Sequence, residues 1–255
     1  MSVDRAEETA VALAEAWQAL LAVHPEAWTV DHDGLSAFAT GIPLAGLNGV
    51  SCSRVDPDPE EVRRLLRELR ARGLPHLLQL RPGTRAAALA VAEEEGLVPD
   101  TGVPLMRLDD PAMLGRARVV APGLTVRQLG PDETALHALI AAAGFEEEPE
   151  HFLRLLPPVV LNLDGVRTYV GEADGEIVTT ALGMTRAGNV GIFNVATPPE
   201  HRRRGYGAAV TARAAADGFA AGASWAWLQS STAGYRVYEA LGFRTVERWL
   251  CWVRA

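Results

Sequence analysis

The chain has 255 residues and a formal net charge of −8, and all 24 of its basic residues are Arg. This length allows one large domain or two domains of about 100–150 residues, and a charged fraction of 22% disfavours a disordered chain. The negative charge argues against a nucleic-acid binder, and the absence of Lys excludes a Walker P-loop, a Schiff-base enzyme and a Ser-Lys dyad.

The apolar runs, the first residues and the cysteines of the chain bear on its location and covalent chemistry. No run approaches the roughly 18 consecutive apolar residues of a membrane span, and the first residues are acidic where a signal peptide would be basic. We therefore expect a cytoplasmic protein without a membrane partner. Cys52 and Cys251 are far apart and show no metal-ligand spacing, so we predict neither a disulfide framework nor a metal site.

Apolar periodicity predicts an α/β pattern in the first half. The elements expected in chain order are a helix at 4–23, strands at 34–40 and 47–55, a helix at 58–73, a strand at 76–80, a helix at 84–95 and a strand at 103–108. The stretch 109–123 contains two Pro and little periodicity, which is typical of a linker. We predict domains at 1–118 and 119–255.

The second half begins a similar pattern at Leu124. It predicts helices at 132–143 and 149–156, strands at 166–173, 176–185 and 190–197, a helix at 207–221, a strand at 225–229, a helix at 233–241 and a strand at 244–253. The pair Asp174-Gly175 predicts a hairpin turn between the first two strands.

The two halves end alike, which suggests a diverged internal repeat. In each half a Gln, Gln79 or Gln229, precedes a helix that is closed by Gly and an apolar residue. The first half is shorter by about the length of the segment 201–208. Whatever this segment does is therefore expected of the second half alone.

That segment has the composition of an anion site. A strand is expected to end near Thr197 and a helix to start near Gly207, so the backbone N–H groups of 203–208 would be free and would point outward together. Gly205 and Gly207 would let a phosphate approach the backbone, and three Arg add positive charge. The alternative is an ordinary solvated basic loop.

Arg202-x-x-Gly205-x-Gly207 resembles the Arg/Gln-x-x-Gly-x-Gly/Ala signature of the GNAT superfamily of N-acetyltransferases. Further along, the segment 237–243 resembles the Leu-Tyr-x-x-x-Gly-Phe helix end of that family. Both motifs occur in the family's order within 124–255. The chain is thus identified as similar to GNAT proteins, in a tandem arrangement whose first copy lacks the pyrophosphate loop.

The resemblance implies an α+β (mixed α/β) acyl-CoA N-acyltransferase fold, with a central splayed mixed sheet flanked by helices. Acetyl-CoA would lie between the strands 190–197 and 225–229, with its pantetheine arm added like a strand. The cofactor-binding residues that the resemblance implies are Val195, Ala196, Thr197, Arg202, Arg203, Arg204, Gly205, Tyr206, Gly207, Ala208 and Ser231.

The resemblance also places Tyr238 where a general acid often protonates the departing thiolate. A tyrosine of pKa about 10 suits that donation. A core tyrosine that packs helix on sheet is the alternative, and Tyr206 and Tyr235 are weaker candidates for the same role. Ser231 stands where the family usually has Asn, and it could contact the pantetheine, cap the following helix, or do both.

The acceptor side is less defined. The family often has a Glu on the strand before the loop, but 192–194 offers no proton acceptor. The acidic run 146–150 could attract a cationic amine and supply the base, although such runs are often solvated helix starts. His151 is expected to be structural. The first half could cover the acceptor side or only support the fold.

These observations lead to three functional hypotheses. The first is an acetyl-CoA-dependent N-acetyltransferase, without a metal, that acts on a primary amine of a small molecule or peptide. The second keeps the fold and uses another acyl-CoA donor. The third is a non-catalytic CoA-binding or ligand-sensing protein. A homodimer is left open as its assembly.

Overall fold

A computed structural model describes residues 4–116 and 121–254. The helices are α1 (Arg5–Ala22), α2 (Pro59–Ala71), α3 (Ala86–Glu94), α4 (Ala112–Arg116), α5 (Thr134–Phe145), α6 (Pro149–Leu155), α7 (Pro158–Leu161), α8 (Tyr206–Ala220) and α9 (Tyr235–Ala240). The strands are β1 (Trp28–His32), β2 (Leu35–Ala39), β3 (Asn48–Cys52), β4 (His76–Leu80), β5 (Val98–Leu108), β6 (Thr125–Gln128), β7 (Val166–Ala173), β8 (Glu176–Arg186), β9 (Asn189–Ala196), β10 (Trp225–Gln229) and β11 (Arg244–Arg254). The predicted mixed α+β class is confirmed.

The chain divides into two compact units, Met1–Leu105 with Thr245–Ala255, and Met106–Arg244. The predicted boundary between residues 118 and 119 lies outside the described residues. The prediction of two sequential blocks differs from the observed division, because the last strand of the chain belongs to the first unit. There β11 pairs antiparallel with β4, from Leu250 opposite Leu80 to Arg254 opposite His76.

The first unit is a mixed sheet with helices on both faces. Strands β1, β2 and β3 are antiparallel, and β3 pairs in parallel with β4. Alternate residues of β2 face opposite sides. Phe38 stacks on Trp17 of α1 with ring centroids 5.8 Å apart, whereas Leu35, Ala37 and Ala39 join the buried cluster that includes the apolar stripe of α2.

The second unit repeats this plan. Strands β6, β7, β8 and β9 are antiparallel, and β9 pairs in parallel with β10 after the crossover helix α8. Helix α8 packs on one face through a buried cluster that includes Val190, Ala214 and Leu228. The order strand, helix, parallel strand, helix and strand thus occurs in both halves, as the sequence repeat predicts.

Helix α5 covers the other face of the second unit and carries a buried His137. Its Nδ1 lies 2.6 Å from Thr180 Oγ1, and that hydroxyl donates to the Tyr169 carbonyl. The hydroxyl must therefore accept from Nδ1–H, which leaves Nε2 unprotonated, buried and without a partner in the described chain. Burial lowers the pKa of His137 to about 3.

This histidine predicts acid sensitivity of the fold. Because its folded pKa lies below the unfolded value of about 6.5, the unfolded chain binds a proton that the folded chain does not. The free energy of unfolding should therefore fall by up to about 1.4 kcal/mol per pH unit as pH drops below about 6.5. The variant His137→Asn keeps a donor toward Thr180 and removes the titration, so it should flatten the slope measured by urea unfolding between pH 7 and 4.5. Parallel slopes for the two proteins would contradict this.

Candidate active site

The site begins where two parallel strands part. Strands β9 and β10 pair from Trp225 opposite Asn189 to Trp227 opposite Gly191, and their remaining residues are not paired with each other. Asn194, near the end of β9, departs from regular strand geometry, with φ +49°. Between Phe193 and Ala196 the register with β8 gains one residue, a β-bulge. The predicted splayed pair of strands is present.

Close packing fixes the point of separation. A Cβ on Gly191 would lie 2.5 Å from the indole of Trp227, so this position needs glycine. The indole Nε1 donates to Asn189 Oδ1 at 2.7 Å, and the ring meets Phe193 edge-on at 5.3 Å. The packing of these bulky rings therefore fixes the point at which β9 and β10 part. The opening between the two strands beyond this point is the fork.

The loop that follows β9 has the backbone of an anion site. Arg203 and Gly205 are both left-handed, with φ +66° and +80°. Among the described residues, no side chain caps the start of α8, and the Ala209 amide makes the first bond back to Gly205. Helix geometry leaves the amides of 205–208 without intrahelical partners, next to the positive end of the helix dipole. Such a concave array of N–H groups suits a phosphate.

The end of β9 lies against this helix start. The Thr179 hydroxyl donates to the Ala196 carbonyl at 2.9 Å and lies 2.9 Å from the Thr197 hydroxyl. From the position of a Cβ on Gly207, Thr197 Oγ1 would be 3.6 Å away and Val195 Cγ1 3.9 Å away. The structure thus brings the predicted strand residues and the predicted loop residues together. Thr179 was not anticipated from the sequence.

The three arginines of the loop differ in their surroundings. Arg202 donates to the carbonyls of Thr197 and Gly144 and to the carboxylate of Glu146. Arg204 donates weakly to a carbonyl within the loop, at 3.4 Å, and the Arg203 side chain is exposed. The guanidinium groups of Arg203 and Arg204 are therefore less engaged by the protein than that of Arg202, which makes three bonds to it.

Tyr238 lies beside the fork with its ring buried among α8-facing residues. Its ring meets Phe243 edge-on at 6.3 Å and covers Gly234, where a Cβ would be 2.8 Å from the ring. Burial raises the pKa of Tyr238 to about 12, so the phenol is protonated at neutral pH. Tyr206 packs elsewhere, in a cluster with Ala173 and Val178.

Ser231 lies in the turn that precedes α9. Its hydroxyl accepts from the Gly234 amide at 3.1 Å, and its carbonyl accepts from the Tyr235 amide at 3.1 Å. The side chain is exposed. The Ser231 hydroxyl therefore orders the turn that leads into α9 and Tyr238, whereas the N-cap residue of α9 is Gly234, without a side-chain cap bond.

The acidic run between α5 and α6 is only partly free. Glu146 is paired with Arg202, and the Glu147 carboxylate lies 3.6 Å from Nδ1 of His151. Next to them Phe145, 46% exposed, stacks on the buried Phe152 with ring centroids 5.4 Å apart. The segment combines negative charge with an exposed aromatic surface, properties that suit a cationic organic amine.

The corresponding place in the first unit is closed. Strands β3 and β4 stay paired up to Cys52 opposite Leu80, and immediately beyond them Arg81 donates to the Ser53 carbonyl and pairs with Glu247, whose side chain is 10% exposed. Helix α2 is capped by its own Asp58 carboxylate. In the described part of this unit, strands β3 and β4 therefore form no open fork, and the N-terminus of the helix between them, α2, is capped.

Residues 4–116 and 121–254 contain no group of three His, Cys, Asp or Glu side chains placed as metal ligands. Cys52 and Cys251 are buried free thiols. Of the helices formed by the described residues, none is long and apolar enough to cross a membrane.

Comparisons with known proteins agree with this geometry. Residues 164–245 match the model of the acetyltransferase (GNAT) domain, whereas no curated protein matches the chain. Among solved structures, a GCN5-related N-acetyltransferase from Kribbella flavida is 22% identical, with 99% of this chain and 96% of that chain covered and a TM-score of 0.69.

Two further structures share the fold. A GCN5-related N-acetyltransferase from Sphaerobacter thermophilus is 19% identical, with 89% of this chain and 75% of that chain covered and a TM-score of 0.58. A tandem GNAT protein from the clavulanic acid biosynthesis pathway is 15% identical, with 97% and 94% covered and a TM-score of 0.58. The family match supports an acyltransferase. Residues 164–245 therefore match the acetyltransferase (GNAT) domain, and the chain shares its fold with GCN5-related N-acetyltransferases and with a tandem GNAT protein.

Proposed function

We propose that the protein is an acetyl-CoA-dependent N-acetyltransferase that transfers the acetyl group directly to a primary amine of a small molecule or peptide. The observation that carries this proposal is the open fork between β9 and β10 beside an uncapped, glycine-containing helix start. The fork admits an extended pantetheine arm, and the helix start offers amides to the pyrophosphate.

The donor would be held mainly by backbone groups. Val195, Ala196 and Thr197, which are not paired with β10, would bond the amides of the arm as an added strand would. The amides of 203–208 would bind the pyrophosphate, with Arg203 and Arg204 adding charge. Ser231 would lie beside the arm at the far wall of the fork.

The reaction then needs positioning and two proton transfers. The amine nitrogen attacks the thioester carbonyl carbon, the carbon–sulfur bond breaks, and Tyr238 donates a hydrogen bond or a proton to the leaving thiolate. An alkyl ammonium of pKa about 10.4 must first lose a proton, which costs about 4–5 kcal/mol at pH 7. The carboxylates of the run 146–150 are proposed to attract this ammonium and to take up its proton.

The first unit is proposed to be a degenerate GNAT copy without a donor site. Its paired strands β3 and β4 leave no room for a pantetheine arm. The Asp58 cap and the acids Glu60 and Glu61 of the first turn of α2 oppose an anion there. One donor per chain is therefore expected, in isothermal titration with acetyl-CoA.

Thermal unfolding with and without acetyl-CoA tests the donor site. At a free concentration near 100 times the dissociation constant, binding should add about 2.7 kcal/mol to the free energy of unfolding. For a chain of this size, that raises the melting temperature by about 5–10 °C. A folded protein without a shift would contradict the proposal. A shift without release of CoA in the presence of any primary amine from a broad panel would favour the ligand-sensing alternative.

A further inference from the structure

Arg202 joins two parts of the second unit. Its Nε donates to the Thr197 carbonyl at 3.1 Å, at the end of β9. Its Nη2 donates to the Gly144 carbonyl at 2.8 Å and to Glu146 Oε1 at 2.9 Å, both at the end of α5. The residue that opens the phosphate loop is thus also bonded to the start of the α5–α6 connection.

The end of α5 lies directly on β9. A Cβ on Gly144 would be 2.7 Å from the Ala196 Cβ and 2.8 Å from the Thr197 nitrogen, so glycine is required for this approach. Glu146, with φ +61°, ends the helix in a left-handed conformation. The last carbonyls of a helix lack intrahelical donors and carry its negative dipole end. Arg202 supplies both a donor and a positive charge at that position.

We propose that Arg202 is a positioning residue, which fixes the segment 145–152 to the loop between β9 and α8. Its guanidinium does not itself bind the pyrophosphate. The inference rests on the proposed function, in which this segment lies on the acceptor side. The planar guanidinium can bond Thr197 and Gly144 at once, whereas a Lys ammonium cannot reproduce this fork. The Glu146 carboxylate offsets the charge of Arg202, which leaves Arg203 and Arg204 as the cations of the donor site.

Hydrogen–deuterium exchange of the full chain, with and without coenzyme A, tests this assignment. The variants are Arg202→Met, Arg202→Lys and, as the matched control, Arg203→Met. Without coenzyme A, exchange of the 145–152 amides should be about fivefold faster in both Arg202 variants than in wild type, the factor expected when hydrogen bonds of ordinary strength are lost. In Arg203→Met it should be unchanged.

The affinity for coenzyme A further separates the positioning role of Arg202 from the donor-binding role of Arg203. The dissociation constant of coenzyme A should stay within about threefold of wild type in Arg202→Lys and rise by about tenfold in Arg203→Met, where a charge-assisted contact is lost. With an amine from the panel, Arg202→Lys should raise the KM of the amine and leave that of acetyl-CoA unchanged. Exchange of 145–152 at the wild-type rate in both Arg202 variants would overturn the assignment. Failure of coenzyme A to protect 203–208 in wild type would instead overturn the proposed function.

Discussion

Replacing Gly207 with Val should weaken acetyl-CoA binding by at least about 100-fold while the protein keeps its fold. Gly207 is the second residue of α8, and apart from its chain neighbours and the backbone of its own helix, the nearest described atom to an added Cβ is Thr197 Oγ1 at 3.6 Å. The Cβ of a helical residue is tilted toward the N-terminus of the helix, which here is where the phosphates are proposed to lie. Loss of two charge-assisted amide bonds accounts for a factor of this size.

The control is the same substitution at Gly46, in the first unit, where no atom lies within 4 Å of an added Cβ. Gly46→Val should bind acetyl-CoA as wild type does. Titration calorimetry measures both affinities, and circular dichroism checks that both variants are folded. If Gly207→Val bound the donor within about twofold of wild type, the pyrophosphate would not lie at the start of α8.

Local patterns predicted most of the secondary structure because each signal acts within a few residues. The strand at 76–80 and the strand at 225–229 have the predicted bounds. The Asp174-Gly175 turn has both residues at positive φ, as a type I′ hairpin requires. The same signal occurs in Asp33-Gly34, but the strand β1 before it was not predicted, because its mostly exposed side chains give no apolar stripe.

Long-range pairing could not be predicted in the same way. The residues of β11 predict a strand, but nothing local in them specifies β4 as its partner. The ion pair of Arg81 and Glu247 is a further long-range contact of this strand, since 166 residues separate the two in the chain. The predicted boundary of the second domain at residue 255 therefore differs from the observed unit, which ends at Arg244.

The site was predictable to the extent that it is made of backbone. Glycines and the helix start specify the loop through its conformation, so the backbone of the segment 203–208 could be expected from the sequence. The contact of Arg202 with Gly144 could not, because it depends on α5 approaching β9 at a distance of 58 residues along the chain. The depth of the fork likewise depends on Trp227 packing over Gly191.

Replacing Tyr238 with Phe should lower turnover by about 100-fold and change donor affinity little, because general acid catalysis contributes about that much. The ring, which packs on Phe243 and Gly234, is retained, so the fold should be preserved. Release of free CoA from acetyl-CoA, measured with a thiol reagent, serves as the assay with or without an amine, since the same thiolate leaves in both reactions.

The pKa of Tyr238 adds a pH test of the same role. Because burial raises this pKa to about 12, the phenol keeps its proton throughout pH 6–10. It loses the proton, and with it the proposed activity as an acid, only as pH rises toward 12. Any fall in kcat with rising pH below about pH 10 should therefore remain in Tyr238→Phe, because Tyr238 does not titrate in that range. Tyr206→Phe is the matched control, because Tyr206 packs in a separate cluster. Equal turnover for Tyr238→Phe and wild type would leave Tyr238 as a packing residue and assign protonation of the thiolate to water.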